Sequence, residues 1–201
     1  TLQLEFKDQV TAKSSHVGQR FAAKTLEDVT INGHLYPCGS NVHGKVIEVT
    51  RFKDRSIQIR DYGRGCPVDY NEKEKRFNWE LVYCELYAGG KYNTNAGENY
   101  EYSLGTNGLG SCATQYSSEY MDVTVFKDGF KYDLHFEKGF NVGGLKKEKY
   151  DYKQSGTLQK WKPDLEVFND INIPLEFFTT ILKKQAVVNA GLKFKLFDEV
   201  S

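Results

Sequence analysis

The stretch Ile57-Gln58-Ile59-Arg60-Asp61-Tyr62-Gly63-Arg64-Gly65-Cys66-Pro67-Val68 decides how the chain is read. Ile57 and Ile59 alternate with Gln58 and Arg60, the period of a half-buried strand. The strand runs straight into D-x-G-x-G. An acid at a strand end, followed by two glycines, sets a carboxylate over backbone that a ligand can approach closely. An ionised carboxylate only accepts hydrogen bonds, so Asp61 suits a donor such as an exocyclic amine. Alone, the pattern is equally that of a polar turn after an edge strand.

Upstream, Val46, Ile47 and Val49 form a partner strand, joined to the first through the polar turn Lys53-Asp54-Arg55. Downstream, Trp79, Val82, Tyr83 and Leu86 fall on one helical face over 78–87. A long polar stretch from Ala88 to Gly110 then holds Gly89-Gly90-Lys91 and ends in Gly105-Thr106-Asn107-Gly108-Leu109-Gly110. A loop of that length inside a compact domain points to function or mobility. Its glycines leave backbone N–H groups free to face phosphate oxygens, and a helix starting near Ser111 adds positive potential. No G-K-[ST] follows, so this is not a Walker loop.

A hairpin is predicted next. Met121, Val123 and Val125 alternate, Lys127-Asp128-Gly129 turns, and Phe130, Tyr132, Leu134 and Phe136 alternate back. Ser155-Gly156-Thr157 opens another strand, its hydroxyls read alone as turn or structural groups. Pro174 opens a helix with an apolar stripe of Leu175, Phe178, Ile181, Leu182 and Ala186. Gly191 is its expected terminator, and Leu192, Phe194 and Leu196 make a last strand. The predicted class is α+β, a mixed, mostly antiparallel sheet with helices on one face. Residues 1–45 read poorly: a short strand at Leu2, Leu4 and Phe6, a weak helical pattern over 16–29, then turns at Asn32-Gly33 and Pro37 to Asn41.

Composition narrows the function classes. The 201 residues carry 27 basic and 27 acidic side chains, a net charge of zero. That is not the footprint of a domain that grips DNA by itself. Cys38, Cys66, Cys84 and Cys112 form no C-x-x-C pair, which argues against a structural zinc site and a disulfide framework and for free thiols. No apolar run approaches the roughly 20 residues that span a bilayer, and no signal-peptide pattern opens the chain. A soluble, cytoplasmic protein with no membrane partner is expected.

Order and spacing together carry more than any single motif. D-x-G-x-G, G-G-K, G-x-x-G-x-G, a hairpin and S-G-T in one chain resemble the ATPase domain of DNA gyrase and topoisomerase IV B subunits. Glu85 to Tyr92, Trp161-Lys162-Pro163-Asp164 and Ala186 to Gly191 look like further family blocks. The likeness is densest from Val46 to Asp198 and is most like clostridial-type sequences. It implies the GHKL, or Bergerat, ATP-binding fold over 46–201, with 1–45 as an atypical segment. It implies ATP and magnesium as cofactors, with Asp61 on the adenine amine and Thr157 close by through water. Arg64, Gly65 and Pro67 would line the adenine pocket and its rim, Arg64 and Pro67 at positions that aminocoumarin antibiotics contact. Gly89, Gly90, Lys91, Asn107, Gly108, Leu109 and Gly110 would surround the phosphates. Competitive ATP-site inhibitors would bind there too. DNA and the A subunit would be met only through a full-length parent, and the isolated chain is expected to be a monomer.

The resemblance breaks at one place that matters for chemistry. The family carries a helix with E-x-x-x-N before the first strand pair, its glutamate the general base and its asparagine a magnesium ligand. Here Asn41 stands at a comparable distance as the candidate metal ligand, but Pro37 takes the place of the glutamate, and Gly39 and Ser40 disfavour a helix. No catalytic base is assigned, and Glu98 and Glu101 are poor replacements. Cys66 stands where the family usually has isoleucine, a change expected to alter packing modestly. A nucleotide- or inhibitor-binding module without turnover, truncated or engineered, is the alternative reading.

Overall fold

The computed structural model describes residues 4–6, 21–25, 29–31, 34–36, 41–89, 108–151, 155–189 and 192–200, with side chains from Val46 onward. The strands are β1 (Leu4–Phe6), β2 (Phe21–Thr25), β3 (Val29–Ile31), β4 (His34–Tyr36), β5 (Asn41–Arg51), β6 (Ile57–Arg60), β7 (Tyr70–Asn71) and β8 (Arg76–Phe77). Helices α1 (Asn78–Cys84) and α2 (Gly110–Tyr116) precede β9 (Ser118–Lys127), β10 (Phe130–Glu137), β11 (Phe140–Asn141), β12 (Lys146–Lys149) and β13 (Gly156–Pro163). Helix α3 (Leu175–Val188) and β14 (Leu192–Asp198) close the order. Ten strands form one sheet in the order β1-β2-β5-β6-β13-β9-β10-β11, with β12 on β10 and β14 on β5. Among the described residues, the β14–β5 pairing alone is parallel. The hairpins β3–β4 and β7–β8 stand apart from the large sheet.

Directly paired residues share a face of a sheet, so the registers fix what each face carries. One row reads Phe136, Met121, Trp161, Ile57, Arg51, Asp198. The next reads Leu134, Val123, Gln159, Ile59, Val49, Leu196. This is the helix side: Trp79 and Tyr83 of α1 pack on Phe136 at 6.2 and 5.8 Å between ring centroids. Phe178 of α3 lies on the same side, its ring 5.1 Å from the Arg51 guanidinium. The core sits under α1, where Val68, Val82, Tyr83, Met121, Val123, Val125, Leu134 and Phe136 are all buried. The opposite face is polar, with rows such as His135, Asp122, Lys160, Gln58 and Thr50. One face buried and one solvated gives the alternation seen in β9.

The predicted class and the strands from Val46 onward are as expected; three local expectations are corrected. Within the weak helical pattern over 16–29, the described residues 21–25 form β2 and Val29 begins β3, because pairing of Phe21 to Lys24 with Asn41 to Gly44 outweighs a faint period. Helix α1 ends at Cys84, so Leu86 leaves the apolar face and is 53% exposed. The extended backbone of Glu85 stops the helix there. Helix α3 forms where predicted, but none of its residues is buried, and Leu175 and Ile181 stay exposed. Strand β12, Lys-Lys-Glu-Lys, carries no apolar alternation and gives no signal in the sequence; it exists through its pairing with β10. Gly191 lies outside the described residues. No helix among the described residues is long and apolar enough to cross a membrane.

Two side chains allow tests of this architecture. Arg51 is buried, with Nη1 3.0 Å from Asp198 Oδ1 and Nη2 donating to the Ile173 carbonyl at 2.6 Å. It ties β5 to β14 and to the segment entering α3. Arg51→Ala leaves Asp198 without this partner in a nearly dry site, and urea titration is expected to show a loss of about 3 kcal/mol.

On the polar face, His135 Nδ1 lies 2.6 Å from Asp122 and Nε2 3.1 Å from Glu137. These contacts, Asp122 foremost, raise the imidazole pKa above its ordinary 6.5. A raised folded-state value means stabilisation complete below the unfolded value and lost as pH rises through the folded one. The melting temperature should therefore fall from pH 6 toward pH 8 more steeply in the parent than in His135→Gln; parallel profiles would exclude it.

Candidate nucleotide site

The D-x-G-x-G loop and the S-G-T strand start form one hydrogen-bonded unit. The Asp61 N–H donates to the Thr157 carbonyl at 2.9 Å, extending the β6–β13 ladder by one residue. The Gly63 N–H donates to Asp61 Oδ1 at 2.7 Å, and Ser155 Oγ donates to the Gly63 carbonyl at 2.6 Å. The Cys66 N–H donates to Thr157 Oγ1 at 3.0 Å. Gly156 makes the approach possible: its φ is 135°, and a Cβ there would collide with the Asp61 carbonyl and press on Tyr62 Cα. Gly65, at φ 85°, lets the loop lie on β9, where a Cβ would come within 3.0 Å of Val125 Cγ1 and 3.1 Å of the Phe126 carbonyl oxygen.

This wiring fixes the polarity of the site. Asp61 Oδ1 is occupied by Gly63, and Oδ2 has no hydrogen bond among the described residues. Thr157 Oγ1 already accepts the Cys66 N–H, so its own proton is left to donate. A carboxylate acceptor beside a hydroxyl donor complements a planar edge that carries an amine next to a ring nitrogen. Part of Cys66 is exposed, yet its thiol is pushed up to about 12, chiefly by desolvation, so it stays protonated and is no nucleophile. Behind it lie Tyr83, fully buried, and Gln159, whose Nε2 donates to the Tyr83 hydroxyl at 2.9 Å. The motifs do not single out Gln159; its place two residues after Thr157 on the same strand is the signal that could.

The other predicted residues fall in two groups. Arg64 is exposed on the loop, Pro67 is partly covered, and Val68 anchors the loop in the core at 1% exposure. Gly89 is buried just beyond α1, while Gly90, Lys91 and Asn107, with Glu98 and Glu101, lie outside the described residues. Gly108 has a φ of 65°, Leu109 caps α2, and Gly110 opens that helix with no atom within 4 Å of an added Cβ. Helix α2 lies against α1, with the Tyr116 hydroxyl donating to the Cys84 carbonyl at 3.5 Å. The Asn41 backbone begins β5 and pairs with Lys24 of β2; its side chain lies outside the described residues. Among the described residues, no group of three or more His, Cys, Asp or Glu side chains could hold a metal ion.

A cavity of about 410 Å³ opens on the helix side of the sheet, walled by Ile57, Trp161, Thr114, Ser117, Phe177 and Phe178, among others. None of the predicted nucleotide residues among the described ones lines it. It lies over the first row of β6 and β13, whereas Asp61 and Thr157 stand at the far end of the same strand pair.

The fold is that of a GHKL ATP-binding domain. A solved structure, the topoisomerase IV ATP-binding domain of Francisella tularensis in complex with a small-molecule inhibitor, superposes with a TM-score of 0.61. It is 26% identical, over 77% of this chain and 71% of that one. The B subunit of DNA topoisomerase 4 from Salmonella typhimurium is 30% identical over 192 residues, 95% of this chain and 28% of the relative. The corresponding Bacillus subtilis protein is 34% identical over 157 residues, 78% of this chain and 23% of its own length. The DNA gyrase B subunit of Thermotoga maritima is 32% identical over 155 residues, 77% of this chain and 24% of that protein. No protein-family model matches. The chain belongs with the ATP-binding domains of type II topoisomerase B subunits, and it spans about a quarter of the length of these relatives. The Salmonella match reaches well into residues 1–45, which carry none of the family motifs named above.

Gly156→Ala is expected to be the most disruptive small change in the site. The methyl group and the Asp61 carbonyl cannot share the space, so β13 must shift away from the loop. A melting temperature lowered by several degrees, with the loss of about 2 kcal/mol or more typical of strained positions, would be read by thermal unfolding. An unchanged melting temperature would show that the two strands are not held this closely.

Proposed function

We propose that this chain is the nucleotide-binding domain of a type II DNA topoisomerase B subunit and takes the adenine of ATP at Asp61 and Thr157. The single observation that carries the reading is an Asp61 Oδ2 with no hydrogen bond among the described residues, at the same strand end as a Thr157 hydroxyl whose oxygen already accepts the Cys66 N–H. The carboxylate accepts the adenine amine, and Thr157 donates toward the neighbouring ring nitrogen, directly or through water. Gly65, Pro67 and Arg64 form the floor and rim. Gly89, Gly90 and Lys91, with the backbone of Asn107, Gly108, Leu109 and Gly110, take the phosphates; the open start of α2 supports the last part. Magnesium would be held mainly through phosphate oxygens and water, with Asn41 as the candidate protein ligand. DNA and the A subunit are engaged through the remainder of a longer parent, as a cytoplasmic enzyme, and the isolated chain is a monomer.

One observation favours the alternative, a domain that binds without turnover. The strand preceding Asn41 in the sheet is β2, and the Asn41 backbone is itself extended. No described element ahead of β5 is a helix that could aim a carboxylate at the phosphates. Without a positioned base, hydrolysis drops by about 10²–10⁴-fold.

Calorimetric titration with a non-hydrolysable ATP analogue and magnesium tests the site. Asp61→Asn removes a charge-assisted bond and should weaken binding by about 10- to 100-fold. Equal affinity of parent and variant would refute the adenine assignment. Phosphate release from ATP, measured beside it, separates turnover from binding alone.

A further inference from the structure

The polar chain behind Cys66 has capacity that the site described so far does not use. Gln159 sits on β13 two residues beyond Thr157, hence on the same face, and pairs with Ile59, two residues before Asp61 on β6. Asp61 and Thr157 are themselves joined through the backbone. Gln159 therefore stands one pair below them, roughly 7 Å along the strands, within reach of a glutamine side chain. Its position is fixed from the α1 side. The Tyr83 hydroxyl accepts the Gln159 Nε2–H at 2.9 Å. Burial first, then Cys66 and the Asp61 charge, push the phenol well above its ordinary pKa, so it keeps its proton. Among the described residues this leaves Gln159 with an unpaired amide oxygen and one spare N–H.

A half-buried amide with one bond made is costly unless a ligand or water completes it. The neighbouring strands supply apolar side chains in the same row, Val123, Ile59 and Val49. An amide among them is out of pattern for a packing role. An amine has two protons, and Asp61 Oδ2 can take one.

Resting on the adenine reading above, we infer that Gln159, held by Tyr83, is a second base-recognition residue, its amide oxygen receiving the other proton of the six-amino group. The pocket then reads the amine with two acceptors, and a six-oxo purine meets two acceptors where it offers none of those donors. Tyr83 acts as a positioning residue, since it touches Gln159 and not the base.

The test compares affinities for a non-hydrolysable adenosine triphosphate analogue and its inosine counterpart, by calorimetry, in the parent, Gln159→Leu, Tyr83→Phe and Asp61→Asn. Gln159→Leu is expected to lower the adenosine-to-inosine affinity ratio by about tenfold, the effect of one hydrogen bond. An equal loss for both nucleotides means a structural role and overturns the inference, as does an unchanged ratio. If Gln159→Leu fails to fold by circular dichroism, Tyr83→Phe decides. It releases the amide without removing it and should lower the ratio by roughly threefold through lost preorganisation; an unaltered ratio overturns the inference. A parent that does not prefer adenosine, with Asp61→Asn indistinguishable from it, overturns the adenine reading itself and this inference with it.

Discussion

The close passage of β13 over the backbone of Asp61 is the constraint on which the rest of the site depends. Two backbone segments approach there more tightly than any side chain at Gly156 would allow. The approach brings the Asp61 N–H to the Thr157 carbonyl, Ser155 to the Gly63 carbonyl, and the Thr157 hydroxyl to the Cys66 N–H. Each bond alone is worth about 1 kcal/mol. Together they set the direction of every polar group at the strand end. The Asp61 carboxylate is turned by its own loop through Gly63, and the Thr157 proton is freed because its oxygen is occupied. In the proposed site the donor and acceptor roles are therefore assigned before any ligand arrives, an arrangement that lowers the cost of ordering on binding.

How much of this is legible in the sequence depends on how local each signal is. The hairpin of β9 and β10 is written in Met121, Val123 and Val125 and in Leu134 and Phe136, because the period of two belongs to the residues themselves. Asp61, Gly63 and Gly65 are legible as a turn for the same reason. Ser155-Gly156-Thr157 is not: its meaning comes from the strand it lies against, and 91 positions separate Cys66 from Thr157. Sequence places Thr157 near Asp61 only through the family resemblance, and the direct backbone link to Asp61 needs the register. Gln159 is invisible for a related reason. Its role rests on Tyr83, a residue that reads as one more apolar position on α1.

Strands β2 and β3 show the converse. Over 16–29 a faint helical period competes with pairing that only the sheet can supply, and the sheet prevails. Strand β5 then runs unbroken from Asn41 to Arg51, across the point near Val46 where the sequence signals sharpen. The helix that the resemblance implies ahead of the first strand pair therefore does not include Asn41, whose backbone begins β5.

The distribution of burial ties these points together. The closed core lies under α1, against β9 and β10, while α3 buries no residue and meets the sheet through Phe178 over Arg51 and the Arg51 bond to the Ile173 carbonyl just ahead of the helix. Between them, β6 and β13 carry the open 410 Å³ cavity on their first row and the polar site at the far end. Two strands at about 4.8 Å spacing make a strip close to 10 Å wide, the width that one packed helix covers. The cavity over Ile57 and Trp161 shows that, among the described residues, this strip is not closed at its first row. A ligand that bridged Asp61 and Thr157 would tie β6 to β13 at the other end of the same strip, beyond the last backbone bond of the ladder. Its binding would add to the stability of that strand pair by mass action.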